Sequence, residues 1–336
     1  MKLSYNILAV AVLSLSACQQ ANEKVSTSSN SPVDPLPSWN DTETKSTIIQ
    51  FVEATTTEGG EQFIPIEDRL VTFDNDGTLW AEKPVYFQLY YALDRIEYLA
   101  KDHPEWQNEE PYASALKSDM AGVAAGGYAG LFKLIGATHG GMTTDEYESQ
   151  VKAWLDTAVH PTTNRRFTEM VYQPMIELIH YLQDNDFNVY IFSAGGIDFM
   201  RVWAPEVYGI PKEKIMGSSM KTQFSLEGGA HLNKLPELDA VRDKELKPEF
   251  IYLVTGSTPV IAGGNSDGDL AMLQYAATNT HPYLNIYVHH TDSVREWAYD
   301  REGHVGRLDA GLDEAGARGW MLVDMKNDWK VIFPEE

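Results

Sequence analysis

The chain has 336 residues, of which 26 are lysine or arginine and 49 are aspartate or glutamate, so its formal net charge is -23 at pH 7. This length is enough for one large core or two modest domains. The acidic balance excludes a nucleic-acid scaffold, because proteins of that class neutralise backbone phosphates with clustered lysine and arginine. The chain has a single cysteine, which excludes an intrachain disulfide.

The amino terminus has the pattern of a bacterial lipoprotein signal peptide. Lys2 precedes an apolar run over residues 7–13, and Leu-Ser-Ala stands immediately before Cys18. The run is shorter than the roughly 20 residues that a membrane-spanning helix needs. We therefore predict a signal peptide over residues 1–17, a lipid on Cys18 that anchors the protein to a membrane, and a location at the periplasmic face of the bacterial cell envelope. Gln19 favours the outer membrane. The alternative is a plain secretory signal with an incidental cysteine.

The remaining chain divides by composition into a tether and a folded body. Residues 18–45 are rich in serine, threonine, asparagine and proline, which predicts a flexible tether. Farther on, strand-like runs alternate with helical patterns, which predicts an α/β fold with a Rossmann-like, doubly wound parallel sheet. The long interval over residues 86–166 predicts an inserted, mostly helical cap domain. The α/β core would then comprise residues 46–85 and 167–336.

Local patterns predict several individual elements. The capping-box pattern that begins at Thr143 predicts a helix start, residues 222–232 predict a hairpin, and the glycine-rich stretch 121–130 predicts either close helix packing or a flexible loop.

Four apolar runs predict buried strands, at residues 69–73, 188–192, 259–262 and 284–288. Three of these strands end at Asp, Ser or Asn beside glycines. Because the sites of open parallel sheets lie beyond the carboxyl ends of their strands, this edge is the predicted active site.

The first predicted strand is followed by Asp74 and Asp76 in the sequence Asp-Asn-Asp-Gly-Thr. Two carboxylates at this spacing can point into one pocket, where their repulsion requires a cation or a shared proton. The alternatives are a simple turn or part of a calcium loop. The EF-hand pattern fails, since its further ligands do not follow at the required spacing.

This motif resembles the first motif of the haloacid dehalogenase (HAD) superfamily, Asp-x-Asp-Gly-Thr after a hydrophobic strand. The resemblance implies that Asp74 is a nucleophile that forms an aspartyl-phosphate, and that Asp76 protonates the leaving group and then activates water. Members that act on carbon-halogen bonds lack the second aspartate, so Asp76 favours phosphoryl transfer. More locally, residues 74–84 and the Gly-Asn-Ser-x-Gly-Asp loop resemble a group of bacterial HAD-like hydrolases, which we expect to be lipoproteins like this chain.

The second motif of the superfamily has a counterpart in Ser193, at the end of the second predicted strand. The resemblance implies that Ser193 donates a hydrogen bond to a phosphoryl oxygen and that the backbone amide of Ala194 or Gly195 assists. The Ser-x-Gly-Gly form is similar to the phosphoserine-phosphatase branch in particular.

The third motif is a lysine that neutralises the nucleophile and binds phosphate. Lys247 stands at a suitable distance before the fourth motif, and Lys234 and Lys244 are the competing candidates. The sequence favours Lys247 without excluding the others.

The counterpart of the fourth motif is the sequence Gly-Asn-Ser-Asp-Gly-Asp at residues 264–269, which resembles the superfamily's Gly-Asp-x-x-x-Asp loop leading into a helix. Asn265 stands at the first acidic position of that motif. An amide oxygen can still bind a hard cation. The resemblance implies a Mg²⁺ cofactor held by Asp74, Asp76, Asn265 and Asp269. Asp267 is left as either a further ligand or a helix cap.

Together these features predict a Mg²⁺-dependent phosphomonoester hydrolase that acts on a small phosphorylated metabolite. Glu82, Lys83, Arg165 and Arg166 could line the entrance and select the substrate, or could equally be surface charges. A non-catalytic lipoprotein that binds a phosphorylated ligand or a protein partner is the alternative that Asn265 supports. A phosphotransferase is a third possibility.

Overall fold

The computed structural model describes residues 34–334. The predicted signal peptide, Cys18 and most of the predicted tether lie outside these residues. At the end of the predicted tether, Leu36 and Trp39 are fully buried. The indole N–H of Trp39 donates to the carbonyl of Pro174 at 2.9 Å, and its ring packs edge-on against Trp329. The folded body therefore begins ahead of residue 46, earlier than composition predicted, because these two side chains bury apolar surface.

A mixed, mostly parallel sheet of eight strands is formed within the described residues. Its strands are β1 (Leu70–Phe73), β2 (Met142–Thr143), β3 (Asn188–Gly196), β4 (Ile215–Ser225), β5 (His231–Ala240), β6 (Ile261–Gly264), β7 (Leu284–His289) and β8 (Met321–Asp324). Their order is β2-β5-β4-β3-β1-β6-β7-β8. The six strands from β4 to β8 in this order pair in parallel, whereas β5 pairs antiparallel with both β4 and β2. The predicted α/β class is confirmed, and the predicted hairpin is the turn between β4 and β5.

Helices cover both faces of this sheet. They are α1 (Glu43–Thr56), α2 (Phe87–Leu99), α3 (Tyr112–Leu116), α4 (Met120–Ala125), α5 (Gly127–His139), α6 (Thr144–Leu155), α7 (Gln173–Asp184), α8 (Ile197–Tyr208), α9 (Leu246–Thr255), α10 (Leu270–Ala276), α11 (Ala310–Arg318) and α12 (Met325–Asp328). The capping box predicted at Thr143 is confirmed, with its hydroxyl accepting from the backbone N–H of Glu146 at 3.2 Å. No helix within residues 34–334 is long and apolar enough to cross a membrane.

The core explains why β1 reads as one continuous apolar run. All four of its residues are buried. Val71 and Phe73 belong to one apolar cluster and Leu70 to another, as expected where alternate side chains of a strand point to opposite faces of a sheet. Each such side chain contributes about 1.5–3 kcal/mol by leaving water. The sheet is therefore fixed centrally, and its strand ends are free to carry polar groups.

The segment between β1 and β3 contains α2 to α6 and has a small apolar cluster of its own, formed by Ile96, Trp106, Ala115, Val123 and Leu134. The glycine-rich stretch within it is mostly helical, and Gly127, at φ +54°, begins α5 directly after the break that follows α4. Within this stretch, a Cβ on Gly122 would lie 2.3 Å from Oγ of Ser114 in α3. This arrangement favours the prediction of close packing over that of a flexible loop.

Candidate active site

A cavity of about 260 Å³ opens beyond the carboxyl ends of β1 and β3. Asp74, Asp76, Ser193 and Lys247 line one part of it, which we call the inner end. Side chains of α2, α5 and the β4–β5 hairpin line the rest, which we call the outer end. The four predicted catalytic side chains come from separate parts of the chain, and the fold brings them to one wall.

The turn after β1 positions the two aspartates. The backbone N–H of Asp74 donates to the carbonyl of Gly263 at 2.9 Å, so the sheet ladder continues to the first aspartate. Gly77 then adopts φ +70°, and a Cβ there would lie 2.0 Å from Nδ2 of Asn265. Only glycine combines this backbone conformation with so close a neighbour. The turn is therefore dictated by both conformation and packing.

Lys247 forms the electrostatic centre of the inner end. Its Nζ lies 2.9 Å from Oδ1 of Asp74 and 2.6 Å from Oδ1 of Asp269, and its side chain is only 1% exposed. Burial opposes its charge, but the carboxylates of Asp269 and Asp74 outweigh burial and raise its pKa above the ordinary range. Burial, together with the charge of Asp269, raises the pKa of Asp74 well above its usual value. Lys247 is therefore a fixed cation that keeps two buried carboxylates together.

The other two candidate lysines lie elsewhere. Lys234 is paired with Asp198 at the outer end, and Lys244 is exposed. Of the three lysines considered from the sequence, Lys247 is the one that contacts Asp74.

Asp76 is held so that one of its oxygens remains near the cavity. Its Oδ1 accepts from the indole N–H of Trp80 at 2.7 Å. Its Oδ2 would lie 3.1 Å from a Cβ placed on Gly195, which shows how closely the β1 and β3 ends approach. Burial raises the pKa of Asp76 to about 6. A carboxyl group with this pKa can both give and take a proton near neutral pH.

Ser193 lies in the last part of β3, at a shift in the pairing register with β4. Its hydroxyl is buried at the inner end and accepts from the backbone N–H of Gly195 at 3.0 Å. The next amide, of Gly196, donates to Oε1 of Gln88 at 2.8 Å. Ala194 also lines the cavity. The predicted phosphate-binding residues are therefore gathered here, and the backbone amide of Gly195 is hydrogen-bonded to the hydroxyl of Ser193.

The fourth-motif residues Asn265 and Asp269 are buried beside the cavity without lining it. Besides its contact with Lys247, Asp269 accepts through Oδ2 from the backbone amides of Asn265 and Ser266, each at 3.0 Å. The amide oxygen of Asn265 accepts from the hydroxyl of Thr78 at 3.2 Å. Both side chains are thus engaged by protein groups. Asp269 is suited to positioning Lys247, and its role as a metal ligand stays a prediction that this arrangement does not favour.

Asp267, which the sequence left between two roles, points to α11. Its Oδ1 accepts from the backbone amides of Asp309 and Gly311 at 2.9 and 2.8 Å. These contacts fasten the start of α11 to the fourth-motif loop. Asp267 is therefore a structural anchor for that helix.

Glu82 is the site residue that sequence reasoning left among possible surface charges. It lines the cavity, is 1% exposed, and accepts through Oε1 from Nδ2 of Asn265 at 2.7 Å and from the hydroxyl of Tyr299 at 2.8 Å. Burial raises its pKa to about 7. A signal was present in the sequence, since Glu82 directly follows the apolar run Leu-Trp-Ala, all three of which are buried.

The other charges considered for the entrance do not line the cavity. Lys83 donates to the carbonyl of Val305 at 2.7 Å. The guanidinium of Arg165 lies over the ring of Phe333, and Arg166 lies beside Glu169. These three residues therefore contribute to packing and surface charge.

The inner end suits a hard cation in its donor chemistry. Asp74 and Asp76 both reach the cavity, and within residues 34–334 the buried Oδ1 of Asp74 has the ion pair with Lys247 as its one polar contact. Mg²⁺ in phosphoryl-transfer sites commonly uses one or two carboxylates, completed by water and substrate phosphate. Within the same range no three His, Cys, Asp or Glu side chains form a complete metal cage. The residues therefore fit an open Mg²⁺ site built on the carboxylate of Asp74, and not a closed one.

No protein-family model matches this chain, and no curated protein does. Among solved structures, a conserved protein of unknown function from Anaerococcus prevotii matches at 16% identity and a TM-score of 0.55, covering 90% of this chain and 99% of that one. A protein of unknown function from Bordetella pertussis matches at 13% identity and a TM-score of 0.48, covering 77% of this chain and 99% of that one. A HAD-family hydrolase from Salmonella enterica matches at 13% identity and a TM-score of 0.37, covering 67% of this chain and 64% of that one.

The Anaerococcus match shows a shared fold over nearly the whole of both chains. Structural similarity to HAD-family hydrolases and to phosphoserine phosphatases is distant. At such identities the likeness is one of fold, so any activity has to be argued from the site.

Proposed function

We propose that the protein is a Mg²⁺-dependent phosphomonoester hydrolase that works through an aspartyl-phosphate on Asp74. The observation that carries this proposal is the convergence of Asp74, Asp76, Ser193 and Lys247 on the inner end of one cavity. A nucleophile, a group that can transfer protons, a hydroxyl donor and a fixed cation are the components that hydrolysis of a phosphate monoester requires.

In the first step a carboxylate oxygen of Asp74 attacks phosphorus, and the bond from phosphorus to the leaving oxygen breaks. Asp76, in its acid form, passes its proton to that oxygen, so the alcohol leaves neutral. Lys247 and the hydroxyl of Ser193 stabilise the charge that gathers on the phosphoryl oxygens. The indole of Trp80 holds Asp76 by its other oxygen and so directs the proton-bearing side.

In the second step Asp76, now a carboxylate, takes a proton from water, and the water oxygen attacks phosphorus. The bond between phosphorus and Asp74 breaks, which releases inorganic phosphate and restores the carboxylate. When bound by Asp74 and the backbone carbonyl of Asp76, Mg²⁺ would neutralise the phosphoryl charge and orient the group for in-line attack.

The segment over residues 86–166 would act as a cap in this reaction. Its helices α2 and α5 supply part of the outer end; α2 and α6 also pack into the main core, so any closing movement would be confined to the part around the small cluster of α3 to α5. Closure would exclude water until the alcohol has left. We also keep the proposal that a lipid on Cys18 anchors the protein at the periplasmic face of a membrane, which the amino-terminal pattern supports.

The test is detection of the covalent intermediate. The purified protein is mixed with a ³²P-labelled phosphomonoester and Mg²⁺, quenched in acid within milliseconds, and digested to locate the label. We expect label on Asp74, none without Mg²⁺, and none in the Asp74→Asn variant. A non-catalytic binder would give no label. Label followed by transfer to an added alcohol in place of water would indicate a phosphotransferase.

A further inference from the structure

The outer end of the cavity differs in chemistry from the inner end. Its walls are formed mainly by apolar side chains, contributed from one side by α2 and α5 and from the other by the β4–β5 hairpin. They include Leu89, Leu131, Phe132, Ile135, Met220 and Leu238. At the mouth, the rings of Tyr128 and Phe132 have centroids 6.0 Å apart and planes inclined by 30°. Whatever is joined to the phosphoryl group must occupy this apolar space.

The polar groups of the outer end are mostly committed to protein partners. Lys234 is 1% exposed, is paired with Asp198, and lies over the ring of Tyr147. The hydroxyl of Ser218 donates to the carbonyl of Ala194 at 2.8 Å. The one lysine of this wall is therefore neutralised, and a ligand carboxylate would have to compete with Asp198 for it.

His139 and Gln88 form a second closed pair. Nε2 of Gln88 donates to Nε2 of His139 at 2.9 Å, while Oε1 of Gln88 is used by the amide of Gly196. Burial, helped by the charge of Lys234, lowers the pKa of His139 to about 3, so the imidazole is neutral. This pair therefore presents neither a charge nor a free acceptor to a ligand.

One buried polar group in this wall lacks a partner. The side chain of Tyr147 is about 1% exposed, and no residue in the range 34–334 makes a hydrogen bond to its hydroxyl. It can serve one oxygen of a ligand. A leaving group with several hydroxyls would bury most of them without partners, at about 1–3 kcal/mol each.

We propose that the substrate is a phosphate monoester of an apolar alcohol, aromatic or branched aliphatic, with at most one further oxygen near Tyr147. The apolar outer end, with most of its buried polar groups already paired, assigns this class over sugar phosphates and phosphoamino acids. The inference rests on the proposed function, because it is the phosphoryl group bound at the inner end that places the alcohol in the outer end.

The experiment compares alkyl esters of similar intrinsic reactivity. We expect kcat/KM for benzyl phosphate and 3-methylbutyl phosphate to exceed that for glycerol 3-phosphate, glucose 6-phosphate and O-phosphoserine by at least about tenfold. In the Phe132→Ser variant, the ratio of kcat/KM for benzyl phosphate to kcat/KM for glycerol 3-phosphate should fall about tenfold. The control is Tyr252→Ser, since Tyr252 is 65% exposed on α9 and does not line the cavity. That variant should keep the wild-type ratio.

A binding measurement separates failure of this inference from failure of the proposed function. Calorimetry with non-hydrolysable benzylphosphonate and 2-hydroxyethylphosphonate should show tighter binding of the former, and Phe132→Ser should reduce that preference. Hydrolysis that favours the polar esters, or no preference in binding, overturns the inference and leaves the phosphatase proposal standing. Preferential benzylphosphonate binding without hydrolysis of any ester overturns the phosphatase proposal and supports the apolar ligand class.

Discussion

The two ends of the cavity are built on opposite principles. At the inner end, Asp74, Asp76 and Glu82 lie with Lys247 in one buried region, where the carboxyl groups outnumber the cation. At the outer end the one buried lysine is already neutralised and most of the surface is apolar. The inner end comes largely from loops after strands, whereas the outer end comes from the inserted helices and the hairpin. Under the proposed function, the reaction and the choice of substrate would depend on different parts of the fold.

This difference sets the scale of any substitution. Removing one member of a buried charge pair leaves its partner uncompensated and costs several kcal/mol. Changing one apolar contact at the outer end alters selectivity by roughly tenfold. The predictions below probe the contrast, beginning with the largest effect.

Asp74→Asn should abolish turnover while leaving the fold intact. The amide cannot act as the nucleophile, so we expect kcat/KM to fall by at least about 10⁴-fold. Lys247 keeps its contact with Asp269 in this variant, which preserves local structure. The measurement is steady-state hydrolysis of p-nitrophenyl phosphate with Mg²⁺, with Asp184→Asn on the exposed end of α7 as the matched control. Equal rates for wild type and Asp74→Asn would refute the assignment of the nucleophile.

Lys247→Met should lower the free energy of unfolding far more than the matched change at an exposed lysine. It leaves Asp74 and Asp269 buried without their cation, and the free energy of unfolding should drop by about 3–5 kcal/mol in a urea titration. The control is Lys221→Met, since Lys221 and its partner Glu237 are 49% and 61% exposed. That pair should contribute about 1 kcal/mol or less. Similar losses for both variants would contradict the view of Lys247 as the centre of a buried charge cluster.

Glu82→Gln should weaken Mg²⁺ binding with little effect on folding. Glutamine can still accept from Asn265 and Tyr299, but it removes one negative charge beside the proposed metal site. Residues that support metal ligands in this way typically change affinity by about 10–100-fold, and we expect an increase of that size in the Mg²⁺ dissociation constant, measured by calorimetry at pH 8. Glu97→Gln, on the exposed side of α2, should leave the constant unchanged. An unaltered affinity in Glu82→Gln would show that this carboxylate does not act on the cation.

His139→Gln should reduce the sensitivity of folding to acid. Burial lowers the pKa of His139 to about 3, against 6.5 for the ordinary group. Between these values the unfolded chain binds a proton that the folded protein does not, so this histidine stabilises the fold above pH 6.5 and its contribution is lost as pH falls towards 3. The difference in unfolding free energy between wild type and variant should change by about 1.4 kcal/mol per pH unit in the interval.

The measurement is a set of urea titrations between pH 6 and 4, with the exposed residue His304 replaced by glutamine as the control. Parallel stability curves for wild type and His139→Gln would show that His139 is protonated in the folded state. The outer end would then contain a charge, which would remove its contrast with the inner end.

Much of the fold was open to prediction because its signals are local. The run before Asp74 reads as a buried strand since both faces of β1 are covered, and the same holds for β3 and β7. Asp74 and Asn265 directly follow β1 and β6, and Ser193 lies in the last part of β3. The capping box at Thr143 predicts where α6 begins, because it depends only on neighbouring residues.

Other elements had no comparable local signal. Strand β2 consists of two residues that pair with β5, and β8 is four residues at the sheet edge. Leu36 and Trp39 lie in a polar, proline-rich stretch, and their burial depends on contacts with Pro174 and Trp329 far along the chain. Composition averaged over a window cannot detect two apolar anchors whose partners are so distant.

The sequence by itself determined the α/β class and which strand ends carry the polar residues, because hydrophobic periodicity and turn chemistry act over a few positions. Only the tertiary structure decided that Lys247 and not Lys234 meets Asp74, that Glu82 is buried, and that Asp269 is committed to neighbouring protein groups. Those outcomes depend on distances between residues far apart in the chain and on the removal of water around them. An ion pair and a shifted pKa exist only once folding has brought the charges together.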